Sequence, residues 1–329
     1  MGALLSLSTA LILVLIAFAG VKEANLHFLF GAIIPYIAII TFIIGVIYRI
    51  LKWASSPVPF RIPTTCGQQK SLPWIKHSKI ENPSGTLGVI VRMALEVLLF
   101  RSLFRNLKTE LREGKVVYGS EKWLWLAGLA FHWSFLIILL RHFRLFVDPV
   151  PASLHLLESF DGFLQIGMPR LFITGIILLA SVSYLLFRRF YIPQVRYISL
   201  ANDYFPLFLI LGIGITGVLM RYFIKVDVVN TKHLIMGIFT LKPEIPEGVG
   251  GIFYIHIFLV SVLFAYFPFS KLVHMAGVFM SPTRNLSNNS RMKRHINPWN
   301  YPVKAHTYED YENEFREKMK KAGLPVEKE

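Results

Sequence analysis

"HWSFLIILLRH", His132–His142, sets two imidazoles ten residues apart in a segment that is otherwise almost wholly apolar. The apolar run around it covers 121–145. That is long enough for a membrane helix, because a bilayer core about 30 Å thick takes about 20 helical residues to cross. Five more runs of suitable length lie at 2–20, 27–51, 167–188, 205–224 and 251–277. The 329-residue chain is 54% hydrophobic and 17% charged, with a mean hydropathy of +0.51; soluble domains carry about 25% charged residues. The runs take up the apolar content and leave no second large soluble domain. The expectation is an all-α, polytopic integral membrane protein with six transmembrane helices.

A net charge of +15 invites a nucleic-acid partner, but the placement of the charge argues against one. Between Trp53 and Glu121 lie Arg61, Lys70, Lys76, Lys79, Arg92, Arg101, Arg105, Lys108, Arg112 and Lys115. Arg188, Arg189 and Arg196 follow the fourth run, and the tail after Gly277 is basic as well. The loop 145–166 between them holds Asp148, Glu158 and Asp161. Alternating basic and non-basic loops follow the positive-inside rule. They place both termini, the 53–121 segment and the 188–204 loop in the cytoplasm, and the chain in the cell membrane. The first run has no basic region before it and is followed by Lys22-Glu23 in place of small residues, so it reads as a retained helix rather than a cleaved signal. A single cysteine, Cys66, leaves no disulfide framework, cysteine-ligated iron–sulfur cluster or covalent haem motif.

The 53–121 segment opens with "SSPVPFRIPTTCGQQKSLPWI", where prolines and glycine preclude regular helix. It continues with "TLGVIVRMALEVLLFRSLFRNLKTELREG", helical by composition but interrupted by Arg92, Glu96, Arg101 and Arg105. A helix along the cytoplasmic interface fits this pattern; a docking surface or an ordinary packed helix fits it too. Beyond Met280 the tail is polar and irregular, then charged and helical over "YEDYENEFREKMKKAG". It reads as mobile alone and able to order against a soluble subunit. No internal repeat, G-x-G-x-x-G, Walker or HExxH pattern occurs. Gly212, Gly214 and Gly217 in the fifth run read as sites of close helix packing.

Five of the ten histidines fall in loops or tail, and His27 opens the second run. The other four sit in two spans: His132 and His142 in the third, His256 and His274 in the sixth. Ionisable groups inside a bilayer are costly and face a bundle interior or cavity. Neutral imidazole is the commonest metal ligand, and ligation removes the need to bury a charge. If the N-terminus is inside, these two spans are antiparallel, so His132 faces His274 near the cytoplasm and His142 faces His256 near the outer surface. Two bis-histidine b-type haems, held within the bundle, account for such pairs. Ideal helices fit only approximately. Ten residues rise about 15 Å and eighteen about 27 Å, and ten residues leave an offset of about 80° around the helix. Pro268 marks a kink between His256 and His274. The alternatives are a proton relay, which calls for intramembrane carboxylates that the later spans essentially lack, and a zinc or copper site, which needs ligands converging on one point. A transporter with structural histidines is the competing class.

"FHWSFLIILLRHF" and "IHIFLVSVLFAYFPFSKLVHMAG" resemble two helices of the gamma, or cytochrome b, subunit of respiratory nitrate reductase, and both histidine spacings match. "IPYIAIITFIIGVIYRILKWASSP" resembles that family's first helix. The loop "RIPTTCGQQKSLPWI" and the tail "NPWNYPV" are most similar to the branch of the M subunit of the dissimilatory sulfite reductase-associated membrane complex, itself near the heterodisulfide reductase membrane cytochrome. The resemblance implies a dihaem domain over 27–280, an additional helix over 1–26 and a cytoplasmic tail over 281–329. It implies an electron-transfer subunit with two haem b, ligated by His132–His274 and His142–His256, whose only reactive site is for menaquinone or menaquinol at the outer haem. Arg141 stands where nitrate reductase has glycine, so Arg141, Arg144 and Lys232 are candidates for quinone or propionate contacts; interface anchoring is the plainer role for each. The implied partners are a cytoplasmic iron–sulfur subunit resembling the heterodisulfide reductase catalytic subunit, and membrane and periplasmic subunits such as a cytochrome c and a ferredoxin-like protein. The implied setting is anaerobic sulfur or sulfite respiration, or else another respiratory reductase acting on nitrate or heterodisulfide.

Overall fold

A computed structural model describes residues 1–58, 67–293, 302 and 305–328. Arg61, Cys66, His295 and most of "NPWNYPV" lie outside the described residues. Six helices among the described residues are long and apolar enough to cross a membrane. They are α1 (Gly2–Lys22), α2 (Ile34–Ala54, entered through a π turn at Leu29–Ile33), α5 (Lys122–His142), α7 (Ile173–Tyr191), α9 (Ala201–Val218, leaving through a π turn at Leu219–Phe223) and α11 (Gly251–Tyr266). Shorter helices are α3 (Thr86–Leu99), α4 (Arg101–Phe104), α6 (Ala152–Asp161), α8 (Pro193–Ile198), α10 (Val228–Phe239), α12 (His274–Gly277) and α13 (Tyr308–Lys321). Lys22, Lys52, Arg188 and Arg189 occupy last turns, where a cation complements the helix dipole.

The bundle is unevenly packed. Helix α1 lies against α9 and α11, and α11 against α2, around Ala17, Val21, Phe30, Leu234, Phe253, Tyr254 and Phe258. A second cluster joins Val182, Leu209, Ile210, Leu259 and Leu263. Helix α5 packs on α7, α7 on α9 and α9 on α11, whereas α5 and α11 are not a packed pair among the described residues. The glycines of α9 lie along these seams: a Cβ on Gly212 would stand 3.4 Å from Leu259, and one on Gly214 2.8 Å from Leu179.

Three expectations are corrected. The segment after α4 is a hairpin, not helix: β1 (Leu107–Arg112) pairs antiparallel with β2 (Lys115–Ser120). Glu113 and Gly114 join them at φ 50° and 76°, the successive positive φ values of a tight hairpin turn. The fourth span starts at Ile173 rather than 167, because Pro169 interrupts the chain and the Asp161 carboxylate accepts the Thr174 N–H at 2.9 Å. The sixth span is not a helix kinked at Pro268. It ends at Tyr266, turns tightly over Phe267–Phe269, extends at Ser270, turns again over Lys271–Val273 and enters α12 at His274. Proline lacks an N–H and clashes with the preceding turn, and the Ser270 hydroxyl accepts the Leu272 N–H at 3.1 Å to restart the chain. Gly45 of α2 makes room, since a Cβ there would lie 2.6 Å from Pro268.

At the basic end, α3 buries Val89 and Arg92 and leaves Leu87, Ile90, Val91, Leu98 and Leu99 exposed. Buried Arg92 donates to the carbonyls of Glu81 at 3.0 Å, Arg284 at 3.1 Å and Leu286 at 3.1 Å. The Asn288 N–H donates to Pro83 O at 2.7 Å. The start of the tail, expected to be mobile, is thereby tied to the 67–100 segment. Burial disfavours the Glu81 carboxylate, but hydrogen bonds from Arg101 and Arg105 outweigh it and hold the group below the usual carboxylate range.

Candidate functional site: two histidine pairs

On α5, His132 Nδ1 lies 2.7 Å from Gly128 O, and His142 Nδ1 lies 2.7 Å from Ile138 O. Both acceptors sit one turn back on the same helix. His274 Nδ1 lies 2.8 Å from Lys271 O, inside the turn that precedes α12. A carbonyl can only accept, so Nδ1 carries the proton in all three rings and Nε2 is left as a free lone pair. His256 differs. Its Nδ1 lies 2.9 Å from Thr216 Oγ1 on α9. That hydroxyl donates its own proton to Gly212 O at 2.8 Å and Ile213 O at 3.0 Å, so towards His256 it accepts. All four histidines therefore present Nε2.

The rings meet in the pairs expected of antiparallel spans. His132 and His274 have centroids 5.9 Å apart with planes at 83°. His142 and His256 have centroids 6.5 Å apart with planes at 10°. An imidazole nitrogen sits about 2.0–2.1 Å from a bound first-row metal, and the ring centroid about 1.1 Å behind it. Two imidazoles on opposite sides of one metal thus have centroids about 6.3 Å apart, and the two observed separations bracket that value. No three His, Cys, Asp or Glu side chains cluster as a metal site among the described residues; the histidines come in pairs. Phe100 and Phe131 contact His132 edge-on, each with centroids 4.9 Å away. Phe100 gets there through a left-handed residue, φ 50°, between α3 and α4.

The three cations flagged in the sequence all lie at the end of the bundle near His142, and each meets an acid of the 145–166 loop. Arg141 Nε lies 3.0 Å from Asp161 Oδ2, Arg144 Nη1 2.7 Å from Glu158 Oε1, and Lys232 Nζ 3.3 Å from Asp148 Oδ2. The Arg141–Asp161 pair is buried, with side chains 12% and 2% exposed. Asp161 also accepts the Thr174 hydroxyl at 2.6 Å. The Arg141 contact has ion-pair distance without hydrogen-bond alignment.

Sequence reasoning missed Arg221, Thr216 and Asp203. Arg221 shares the buried Phe172 ring with Arg141; the two Cζ atoms lie 3.9 and 3.8 Å from its centroid. Arg221 donates to Arg170 O at 3.2 Å and has no carboxylate partner among the described residues. Its position four residues beyond Gly217, in the π turn that follows α9, was the available signal. Asp203 is a buried carboxylate at the start of the fifth span, ion-paired with Lys271 at 2.7 Å.

A family model described as nitrate reductase gamma subunit matches residues 76–294. A protein of Archaeoglobus fulgidus, described as an Hdr-like menaquinol oxidoreductase cytochrome b-like subunit, is 44% identical over 278 residues, 82% of this chain and 83% of the relative. A protein of Archaeoglobus profundus with the same description is 41% identical over 273 residues, 81% of each.

Proposed function

This chain belongs to the nitrate reductase gamma subunit family, a family of membrane cytochromes b, and from that premise we propose that it is a dihaem, quinol-linked electron carrier. His132–His274 and His142–His256 each hold one b-type haem, and menaquinol or menaquinone reacts near the second pair. Electrons pass to or from a cytoplasmic iron–sulfur subunit resembling the heterodisulfide reductase catalytic subunit, in anaerobic sulfur or sulfite respiration. The observation that carries the reading is that four imidazoles all present Nε2, in two pairs with ring centroids 5.9 and 6.5 Å apart. The description of both archaeal relatives as Hdr-like menaquinol oxidoreductase cytochrome b-like subunits supports the quinol and a complex with other subunits. In this reading 27–280 is the dihaem unit, α1 an addition to it and 281–329 a cytoplasmic tail.

Haem held by these histidines would supply a one-electron carrier. The rest is the work of the chain. The Nδ1 hydrogen bonds fix which nitrogen each ring offers and raise its basicity. The ten-residue spacing on α5 separates the pairs by about 15 Å along the helix. At the outer end, Arg141, Arg144 and Lys232 are our candidates for quinone oxygens or propionates, each already shared with a carboxylate. Arg221 joins them as the cation with no such partner among the described residues, able to donate charge-assisted hydrogen bonds to an incoming oxygen. The test is the spectrum of the purified chain. We expect dithionite-reducible b-type Soret and alpha bands and two haems per polypeptide; a protein without these bands would overturn the proposal.

A further inference from the structure

Three of the four histidines draw their Nδ1 acceptor from their own segment, so their ring settings are local. His256 alone depends on a different span. Thr216 of α9 accepts its Nδ1–H at 2.9 Å, and a Cβ on the neighbouring Gly217 would stand 3.5 Å from His256 Cε1. The ring is held at one edge and faced at the next by two consecutive residues of another helix. Thr216 is well suited to this: a β-branched side chain is stiff at χ1, and its hydroxyl is further fixed by back-bonding to Gly212 O and Ile213 O at 2.8 and 3.0 Å. The pair that uses this contact has ring planes 10° apart, whereas the pair held entirely by its own backbone has planes at 83°.

We propose that Thr216 is a positioning residue that sets the plane of His256 nearly parallel to His142, and so makes the haem at this pair electronically distinct from the one at His132–His274. This rests on the dihaem reading above. The reason is orbital. Two imidazoles in one plane donate π density to the same iron d orbital and split the dxz and dyz levels. Two perpendicular imidazoles act on one orbital each and leave the levels nearly degenerate. Low-spin ferric iron in the first setting gives an ordinary rhombic electron paramagnetic resonance signal; in the second it gives a strongly anisotropic signal with a large gmax.

The experiment uses the purified full chain, oxidised, with haem content measured alongside the resonance spectrum. The wild type should give one rhombic and one strongly anisotropic low-spin signal. Thr216→Val keeps the shape and removes the acceptor; it should move the rhombic signal towards large gmax, leave the other signal in place and keep both haems. Thr216→Ser restores an acceptor and should restore the wild-type signal. Loss of the His142–His256 haem alone in Thr216→Val, with both haems present in Thr216→Ser, supports the same role, since a general folding defect would remove both. The proposal is overturned if the wild type shows two signals of one kind, if Thr216→Val changes neither signal, or if Thr216→Ser behaves as Thr216→Val. A wild-type chain with no low-spin haem signal would overturn the dihaem reading itself.

Discussion

The His142–His256 pair lies between two regular helices, while the His132–His274 pair joins a regular helix to the start of α12, beyond the two turns that follow α11. Each pair combines one self-sufficient histidine with one conditional histidine. The α5 histidines are each held by a carbonyl of their own helix and need nothing else from the fold. His256 depends on α9, through Thr216 and Gly217. His274 depends on the break at Pro268, which in turn depends on the bare backbone of Gly45. The two pairs are alike in side-chain chemistry and separate in what supports them, so they should be separable by mutation.

The largest separation is expected at Pro268. With alanine there, α11 is free to continue as helix, and the eighteen residues from His256 to His274 would rise about 27 Å against about 15 Å between the α5 histidines. Haem content should fall from two to one per chain, with the survivor at His142–His256; two retained haems would show that other contacts hold the break. Gly217→Leu should do the reverse, displacing His256 and costing the other haem. Gly217→Ala, whose Cβ would meet His256 at an ordinary 3.5 Å, should keep both.

Stability offers a smaller contrast. Asp161→Ala leaves buried Arg141 without its carboxylate and should cost about 3–5 kcal/mol in unfolding of the purified protein. Lys232→Ala removes a pair whose Asp148 side chain is 68% exposed and should cost about 0–1 kcal/mol. Equal losses would mean that the Arg141 site is more solvated than its geometry indicates.

The smallest effect is at the basic end. Because the folded Glu81 carboxyl is held low by Arg101 and Arg105 against the opposing effect of burial, its contribution is complete above the unfolded-state value and is lost as pH falls through the folded value. Protease sensitivity of the 67–100 segment should therefore rise below about pH 4, with haem content unchanged. Glu81→Gln should raise it at neutral pH; no change in that variant would remove Glu81 from the account.

The spans and the histidine pairing were legible because apolar length and loop charge survive any detail of packing. Alternate topology alone sets His132 opposite His274 and His142 opposite His256. The mismatch between a 15 Å and a 27 Å rise was legible too, but only as a defect of the ideal-helix picture; its resolution needed the two tight turns around an extended Ser270. The hairpin at 107–120 was hidden because Leu107–Arg112 is also good helix composition, and two residues at positive φ decide against helix there. Thr216 was invisible for a different reason. A threonine in a membrane helix that bonds its own backbone looks the same whether or not a histidine of another span lies against it. Asp148, Glu158 and Asp161 were read as markers of an outer loop, and their second role, as partners of Lys232, Arg144 and Arg141, is a property of the folded loop alone.

The most direct measurement is haem content after each single His→Ala change, with the surviving haem identified by its resonance signal. His132→Ala and His274→Ala should lose the same haem, and His142→Ala and His256→Ala the other. Loss in any crossed pairing, or two haems retained in all four variants, would contradict the account.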